Sequence, residues 1–218
     1  MLKMKDLFDL RYTRAAQYLQ SFAYPWQALE GIEGMIRKLG SNLGSDFLEV
    51  SSQVWVHKTA VVAPSAYLGA PCIIGAGTEV RHCAFIRGSA LIGDGCVVGN
   101  SVELKNVILF DHVQVCHFNY VGDSILGCCA HMGAGSVTSN VRADQGDVAV
   151  KNGERWISTG LWKCGAFIGD HAEVGCNAVL NPGTVLGRHS QVYPTSCVRG
   201  TVPENHIWKN NGTLVKKV

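Results

Sequence analysis

The chain has no apolar run approaching the length of a membrane span, so nothing in it reads as a transmembrane helix. Its opening, MLKMKDLFDLRYTR, lacks the apolar core of a secretory signal, which makes the cytoplasm the expected compartment. An excess of charge is also missing. Lys and Arg are scattered and the formal charge is +2, a balance that argues neither for nor against acidic partners. Neither nucleic acid nor a membrane is expected as a partner. There is no Cys-x-x-Cys pair. The cysteines number nine, an odd count, and only Cys128 and Cys129 are adjacent. Without a secretory signal this favours reduced thiols used in packing over a disulfide framework. What is present is a globular chain of 218 residues, nearly half hydrophobic, long enough for one sizeable domain and an appendage.

Its dominant feature is a period of six. Val56, Val62, Leu68, Ile74, Val80, Ile86, Ile92, Val98 and Leu104 follow one another at unbroken six-residue spacing. A second series runs Ile168, Val174, Leu180, Leu186, Val192 and Val198. Four positions after most of these aliphatics the residue is small, as at Ala60, Cys72, Ala84, Cys96, Ala178 and Ser196, and the next residue is often Gly. A helix repeats every 3.6 residues, and an ordinary strand alternates with a period of two. A chain that makes a short strand, turns a corner and repeats fits a period of six. Three such units close a triangular coil, stacking aliphatic on aliphatic along a narrow core, with small residues at the corners. The reading is an all-β, single-stranded parallel β-helix over 49–205.

Before it, KDLFDLRYTRAAQYLQSF and PWQALEGIEGMIRKLG read as two helices, the second with Pro25 in its first turn and Gly40 at its stop. Residues 1–48 are therefore assigned to an α-helical arm, placed at one end of the coil as a cap or docking arm. The tail 206–218 is polar and basic, a short strand or a loosely held end.

The count falters in one region. Leu109 comes one residue early after Leu104, and Leu126 one early after Val121. From Ser139 to about Ala166 the period vanishes, and an Asn-Gly turn between two β-like runs marks an excursion over about 139–166. A long irregular segment leaving a regular scaffold is usually functional or disordered, and the apolar residues here favour an ordered arm. Between the slips lies CHFNYVGDS, with polar Asn119 at a position where smallness is the rule and His117 at an expected corner.

At these residues the sequence resembles the hexapeptide-repeat acyltransferases, in particular the acetyltransferase half of bifunctional bacterial glucosamine-1-phosphate acetyltransferase/N-acetylglucosamine-1-phosphate uridyltransferases. HFNYVGDSILG and HMGAGSVTSN match that family's H-L-x-Y-L-G-D-x-x-I-G and N-I-G-A-G-T-x-x-x-N blocks, and RGSA at 87–90 and VGNSVELK at 98–105 match upstream ones. The match is ungapped over about 86–140, both slips included. The resemblance implies a left-handed coil, a homotrimer with active sites between subunits, and transfer of an acyl group from acetyl-CoA to an amino-sugar phosphate or nucleotide-linked amino sugar. By matching position it implies His117 as catalytic base with Glu103 beside it. Arg87 and Lys105 fall on residues that hold the sugar phosphate, Tyr120 and Asn140 on the acceptor site, and Ala134 and Gly135 on the segment along which coenzyme A runs. A histidine can take the amine's proton near neutral pH, a neighbouring carboxylate such as Glu103 can orient it, and a backbone N–H around Gly133–Gly135 can meet the oxyanion.

Departures are visible as well. His131 stands where the family has an asparagine before I-G-A-G, which puts it in the acceptor pocket with an altered role, and the Y-D-G after Asn140 is replaced by VRA. No Gly-rich sugar-nucleotide loop precedes residue 50, so no uridyl transfer is expected. Two rival readings stay open. One is a metal enzyme like the trimeric γ-class carbonic anhydrases, drawing on His82, His112 and His117, although no metal site is assigned. The other is a non-catalytic sugar-phosphate binder or scaffold on the same fold.

Overall fold

The computed structural model describes residues 2–217 as a left-handed parallel β-helix flanked by a helical arm. Strands pair in parallel with the coil below: Val54 with Cys72, Cys72 with Ala90, a coil of 18 residues. The first face carries strands such as Cys72–Ile74 and Ala90–Ile92, the second Tyr67–Leu68 and Phe85–Ile86, and the third Glu79–Val80 and Val97–Asn100. The aliphatics of the six-residue series from Ile74 onward point inwards and are buried, including Ile86, Ile92, Val98, Leu104, Leu180 and Val198.

At the corners the chain adopts left-handed backbone. Cys83, Ser101, Phe118, Asn177 and Thr195 hold φ between 53° and 60° along the corner joining the third face to the second, with Gly135 at 71° filling the level between Phe118 and Asn177. Such a conformation costs about 1–2 kcal/mol for a residue with a Cβ, so the stacked ladder, not local preference, imposes it.

The slips shorten the corner between the second and first faces. In the regular coil Gly88 and Ser89 both turn there, whereas Asn106 and Asp123 each take the corner alone, at φ 54° and 48°. Ala90 pairs with Val107 and Val107 with Ser124, so these coils have 17 residues. Strands Glu103–Leu109 and Tyr120–Leu126 consequently run straight through the corner and join the two faces into one sheet. The excursion leaves at this corner one coil further on. Val148–Asn152 and Arg155–Leu161 form an antiparallel hairpin. Asn152 pairs with Arg155, so the turn residues are Gly153, at φ 61°, and Glu154, one place later than the Asn-Gly reading.

The arm lies along a flank. The outward residues of the first face, Trp55, Ile73, Leu91, Ile108, Ile125, Phe167 and Val185, stack in register and are all buried. Ile32–Gly40 packs over this stripe, and Trp26 meets the Phe167 ring at 6.0 Å. Burying each such side chain stabilises the fold by about 1.5–3 kcal/mol. The expected cap at one end is therefore corrected: an apolar outer face needs the helices more than an end does.

The first expected helix is also broken into Met4–Leu7, a 3-10 turn at Leu10–Tyr12, and Ala16–Leu19. Its backbone is engaged by the coil instead. Asp170 donates its N–H to the Leu7 carbonyl and accepts from the Asp9 N–H, and Asp111 donates to the Tyr12 carbonyl. The second begins as a 3-10 helix at Pro25–Gly31 and becomes α-helical over Ile32–Gly40.

Antiparallel strands close both ends of the stack, Phe47–Ser51 on Val54–His57 and Leu214–Lys216 on His206–Trp208, covering edges that would otherwise pair with other chains. The cysteines are free; burial pushes the thiols of Cys72, Cys96 and Cys164 up to about 12. No helix among the described residues is long and apolar enough to cross a membrane.

Candidate active site

His117 ends the strand Gln114–His117 and stands at the corner between the third and second faces, exposed. Its imidazole has no partner among the described residues, while its backbone is locked. Its N–H donates to Asn119 Oδ1 at 3.0 Å, and its carbonyl accepts from Gly135 N–H at 3.0 Å. Asn119 is the polar residue at a small-residue position, and it is 3% exposed because it points inwards. Its amide donates to the Gly133 and Ser136 carbonyls, at 2.8 and 2.9 Å. Every arm of that side chain thus ties the rung of His117 to the coil below, where a buried amide without partners would cost several kcal/mol. The result is a fixed backbone presenting a free imidazole.

Of the Gly133–Gly135 amides, Gly133 donates to Val174 and Gly135 to His117, which removes both as oxyanion donors. Ala134 N–H alone of the three has no acceptor among the described residues. Gly135 is thereby a brace for His117, and Ala134 lies in line with His117 one coil on, two residues past the paired Val115 and Met132.

Around the second face, Arg87 and Lys105 stack in line on adjacent coils, just past the paired Ile86 and Leu104. Each is neutralised. Arg87 Nη1 donates to Glu103 Oε1 at 2.8 Å, an exposed pair. Lys105 Nζ reaches both oxygens of Asp123, at 2.9 and 3.1 Å, and that carboxylate is buried. Asp123 also accepts from Asn106 Nδ2 at 2.9 Å and from Asn140 Nδ2 at 2.5 Å. Asn140 donates to Tyr120 Oη as well, at 3.1 Å, and burial pushes the Tyr120 hydroxyl's pKa up, so it stays a neutral phenol. Tyr120, Asn140, Lys105 and Asp123 therefore form one knot at the shortened corner.

One expectation is corrected here. Glu103 does not touch the His117 ring of its own chain; its carboxylate turns to Arg87 because a guanidinium one coil away on the same face offers a charged donor. His131 lies on a different face of its own chain from Arg87, Lys105 and Tyr120. It sits on the third face, paired in register with Gln114 and Glu173, and its Nδ1 lies 2.7 Å from Glu173 Oε2. Of the other histidines, His82 shares the corner of His117 two coils away, with Asn100 between them, while His112 occupies another corner, above Asp94. No group of three metal-capable side chains occurs among the described residues.

The sequence reading missed Asp123 and Asn106, although the slips are their signal, since each leaves a single residue to fill a corner.

No family model matches the sequence. Among curated relatives, a bifunctional sugar-1-phosphate nucleotidylyltransferase/acetyltransferase of Sulfurisphaera tokodaii is 29% identical over 196 residues, covering 88% of this chain and 49% of that protein. The bifunctional protein GlmU of Methanococcus maripaludis is 26% identical, covering 99% of this chain and 53% of its own length. The chain thus spans about half the length of these bifunctional relatives. A putative uncharacterized acetyltransferase, YaiX of Escherichia coli, is 31% identical over 180 residues, 74% of each chain.

Proposed function

The chain belongs to the hexapeptide-repeat acetyltransferases, and from that premise we propose that it moves acetyl from acetyl-CoA to the amine of an amino-sugar phosphate or nucleotide-linked amino sugar. The observation that carries the residue assignment is the exposed, unpartnered imidazole of His117 on a backbone braced by Asn119 and Gly135. The amine lone pair attacks the thioester carbonyl carbon, forming C–N as the carbonyl electrons move to oxygen. His117 accepts the proton that the nitrogen must lose. Ala134 N–H donates to the oxyanion. Collapse breaks the C–S bond, and the imidazolium returns its proton to the departing thiolate.

Arg87 holds the acceptor's phosphate by exchanging Glu103 for it, since a guanidinium fork fits phosphate oxygens. Lys105 is fixed by Asp123 yet keeps a donor in hand, because an ammonium has three. Tyr120 and Asn140 line the acceptor side. The reading includes a homotrimer. Its support is that the arm covers only the first face, while Tyr67 and Phe85, tilted rings 5.5 Å apart on the second, and Phe118 beside His117 stay exposed. Uridyl transfer is no part of the proposal.

His117→Ala is expected to lower turnover by about 10²–10⁴-fold, followed as thiol release from acetyl-CoA across a panel of amino-sugar phosphates and nucleotide sugars. Melting temperature and oligomeric mass should not change. Undiminished thiol release by the variant, or none by the parent chain with any acceptor, rejects the mechanism.

A further inference from the structure

The excursion hairpin folds back over the corner from which it leaves. Its own Val148 and Val150 are buried, and Thr201 Oγ1 donates to the Lys151 carbonyl at 2.8 Å. The fit is close: a Cβ on Gly200, whose φ is 91°, would sit 3.2 Å from both the Cβ and the carbonyl oxygen of Lys151. Between hairpin and coils lies a cleft of about 420 Å³. Its lining includes Arg142, Lys151 and Arg199, one acid, Asp144, and the indole of Trp156, so its charged residues sum to +2.

The cations are held unusually. Lys151 Nζ lies 5.6 Å and the Arg199 guanidinium carbon 5.4 Å from the centre of the Trp156 ring, and neither meets a carboxylate among the described residues. Arg142 alone is paired, with Asp144, and it also donates to the Asp147 carbonyl at 3.1 Å. Trp156 is 52% exposed. Two unneutralised cations around a half-open indole make a site for an anion that carries a flat ring. Charged donors meet phosphate oxygens, and the indole takes a base by stacking. The volume falls within the range of small-ligand sites, roughly 300–1,000 Å³.

We propose that this cleft binds a nucleoside diphosphate, with the phosphates on Arg199, Lys151 and Arg142 and the base on Trp156. Both partners of the reaction proposed above can carry that group, the donor as a 3′-phosphorylated adenosine diphosphate and a nucleotide-linked acceptor as its sugar carrier. Arg199 continues the line of Arg87, Lys105, Gly122, Ser139 and Asn181, and stands three coils beyond the Gly122 level, which follows His117 in the same coil. At about 4.8 Å per coil, that is roughly 14 Å along the axis. A diphosphate in this cleft would reach His117 of the same chain only through a long linker, which a sugar attached directly to the diphosphate does not supply.

The test is calorimetric titration of the intact protein with 3′-phospho-ADP, with UDP and with inorganic pyrophosphate. One nucleotide is expected to bind and pyrophosphate to bind more weakly. The Lys151→Ala/Arg199→Ala double variant should weaken the nucleotide by about tenfold or more, the loss of at least one charged hydrogen bond. Both side chains are exposed, and an unchanged melting temperature verifies the fold. Trp156→Ala should weaken the nucleotide but not pyrophosphate. Preference for 3′-phospho-ADP assigns the donor, and preference for UDP the acceptor. Absence of nucleotide binding, equal affinity for pyrophosphate, or an unaffected double variant overturns the proposal. Binding is read without turnover, and His117→Ala should leave it intact, so this idea and acyl transfer fail separately.

Discussion

Two pairs of cations lie along the second face, Arg87 with Lys105 and, three coils below Gly122, Arg199 with Lys151 of the hairpin laid over it, and their electrostatic situations are opposite. Arg87 and Lys105 each have a carboxylate in hand, Glu103 and Asp123, so that cluster sums to zero. Lys151 and Arg199 have only the Trp156 ring between them. A phosphate arriving at the first pair must displace or share an acid already present, whereas at the second it meets charge that the fold has left uncompensated. Within the neutral cluster there is a further contrast. Glu103 and Arg87 are exposed, so their pairing is worth little and is easily exchanged. Asp123 is buried with three side-chain donors converging on it, so its pairing is structural.

The strongest way to break that contrast is Asp123→Ala. It strands the Lys105 ammonium, whose acceptors here are the two Asp123 oxygens, and leaves Asn106 and Asn140 only their weaker bonds to the Leu29 carbonyl and Tyr120 Oη. Removing one partner of a buried pair costs about 3–5 kcal/mol, and a fall in stability of that size is expected in urea denaturation. Asp123→Asn, which keeps the shape and one acceptor oxygen, should recover part of it. A loss below about 1 kcal/mol would place Asp123 with the surface pairs and erase the distinction.

Glu103→Gln addresses the exposed half of the cluster and should have a smaller effect of opposite sign on function. It frees Arg87 from competition without touching the core. The acceptor KM is expected to fall by up to about fivefold, the equivalent of the 0–1 kcal/mol an exposed pair is worth, with the denaturation midpoint unmoved. A raised KM would mean that Glu103 itself contacts the acceptor. Arg87→Ala in the same assay should raise KM and leave kcat nearly alone.

How far the sequence discloses these arrangements depends on whether a feature repeats. The inward aliphatics, Ile74 through Leu104, repeat at one spacing and are legible as a coil without coordinates. The outward stripe Ile73, Leu91, Ile108, Ile125 and Phe167 is nearly as regular, one residue before each inward position. An outward strand residue ordinarily reads as solvent-facing, however, so the sequence hides the arm's seat and points the helices to an end. The hairpin is legible from its turn residues. The pairings are not. Arg87 and Glu103 are sixteen residues apart and meet only because a coil returns there; the family resemblance points Glu103 to His117, whereas its register puts it beside Arg87. Asn119 is the instructive middle case: its polarity at a small-residue position is visible in the sequence, whereas its inward direction, which makes it a brace and leaves His117 free, follows from the packing of the coil below.

The smallest expected effect concerns Asp144, the one acid in the cleft lining, on whose charge the difference between the two pairs partly rests. The Arg142 guanidinium, with help from the Gly146 N–H, holds the Asp144 carboxyl down to about 2, against an ordinary value of 3.8. Because the folded value lies below the ordinary one, the pairing contributes fully above about pH 3.8 and is lost as pH falls through about 2. The pair lies at the surface, so little stability goes with it. Its consequence is constancy: at any pH where the enzyme would work, Asp144 is charged and the cleft keeps its +2. Carboxyl carbon chemical shifts should show Asp144 still ionised near pH 3, where an unperturbed aspartate is mostly protonated. In Arg142→Gln its midpoint should climb back towards 3.8. A midpoint near 3.8 in the parent chain would mean that Arg142 is not committed to Asp144, leaving three free cations in the cleft and widening the contrast with Arg87 and Lys105.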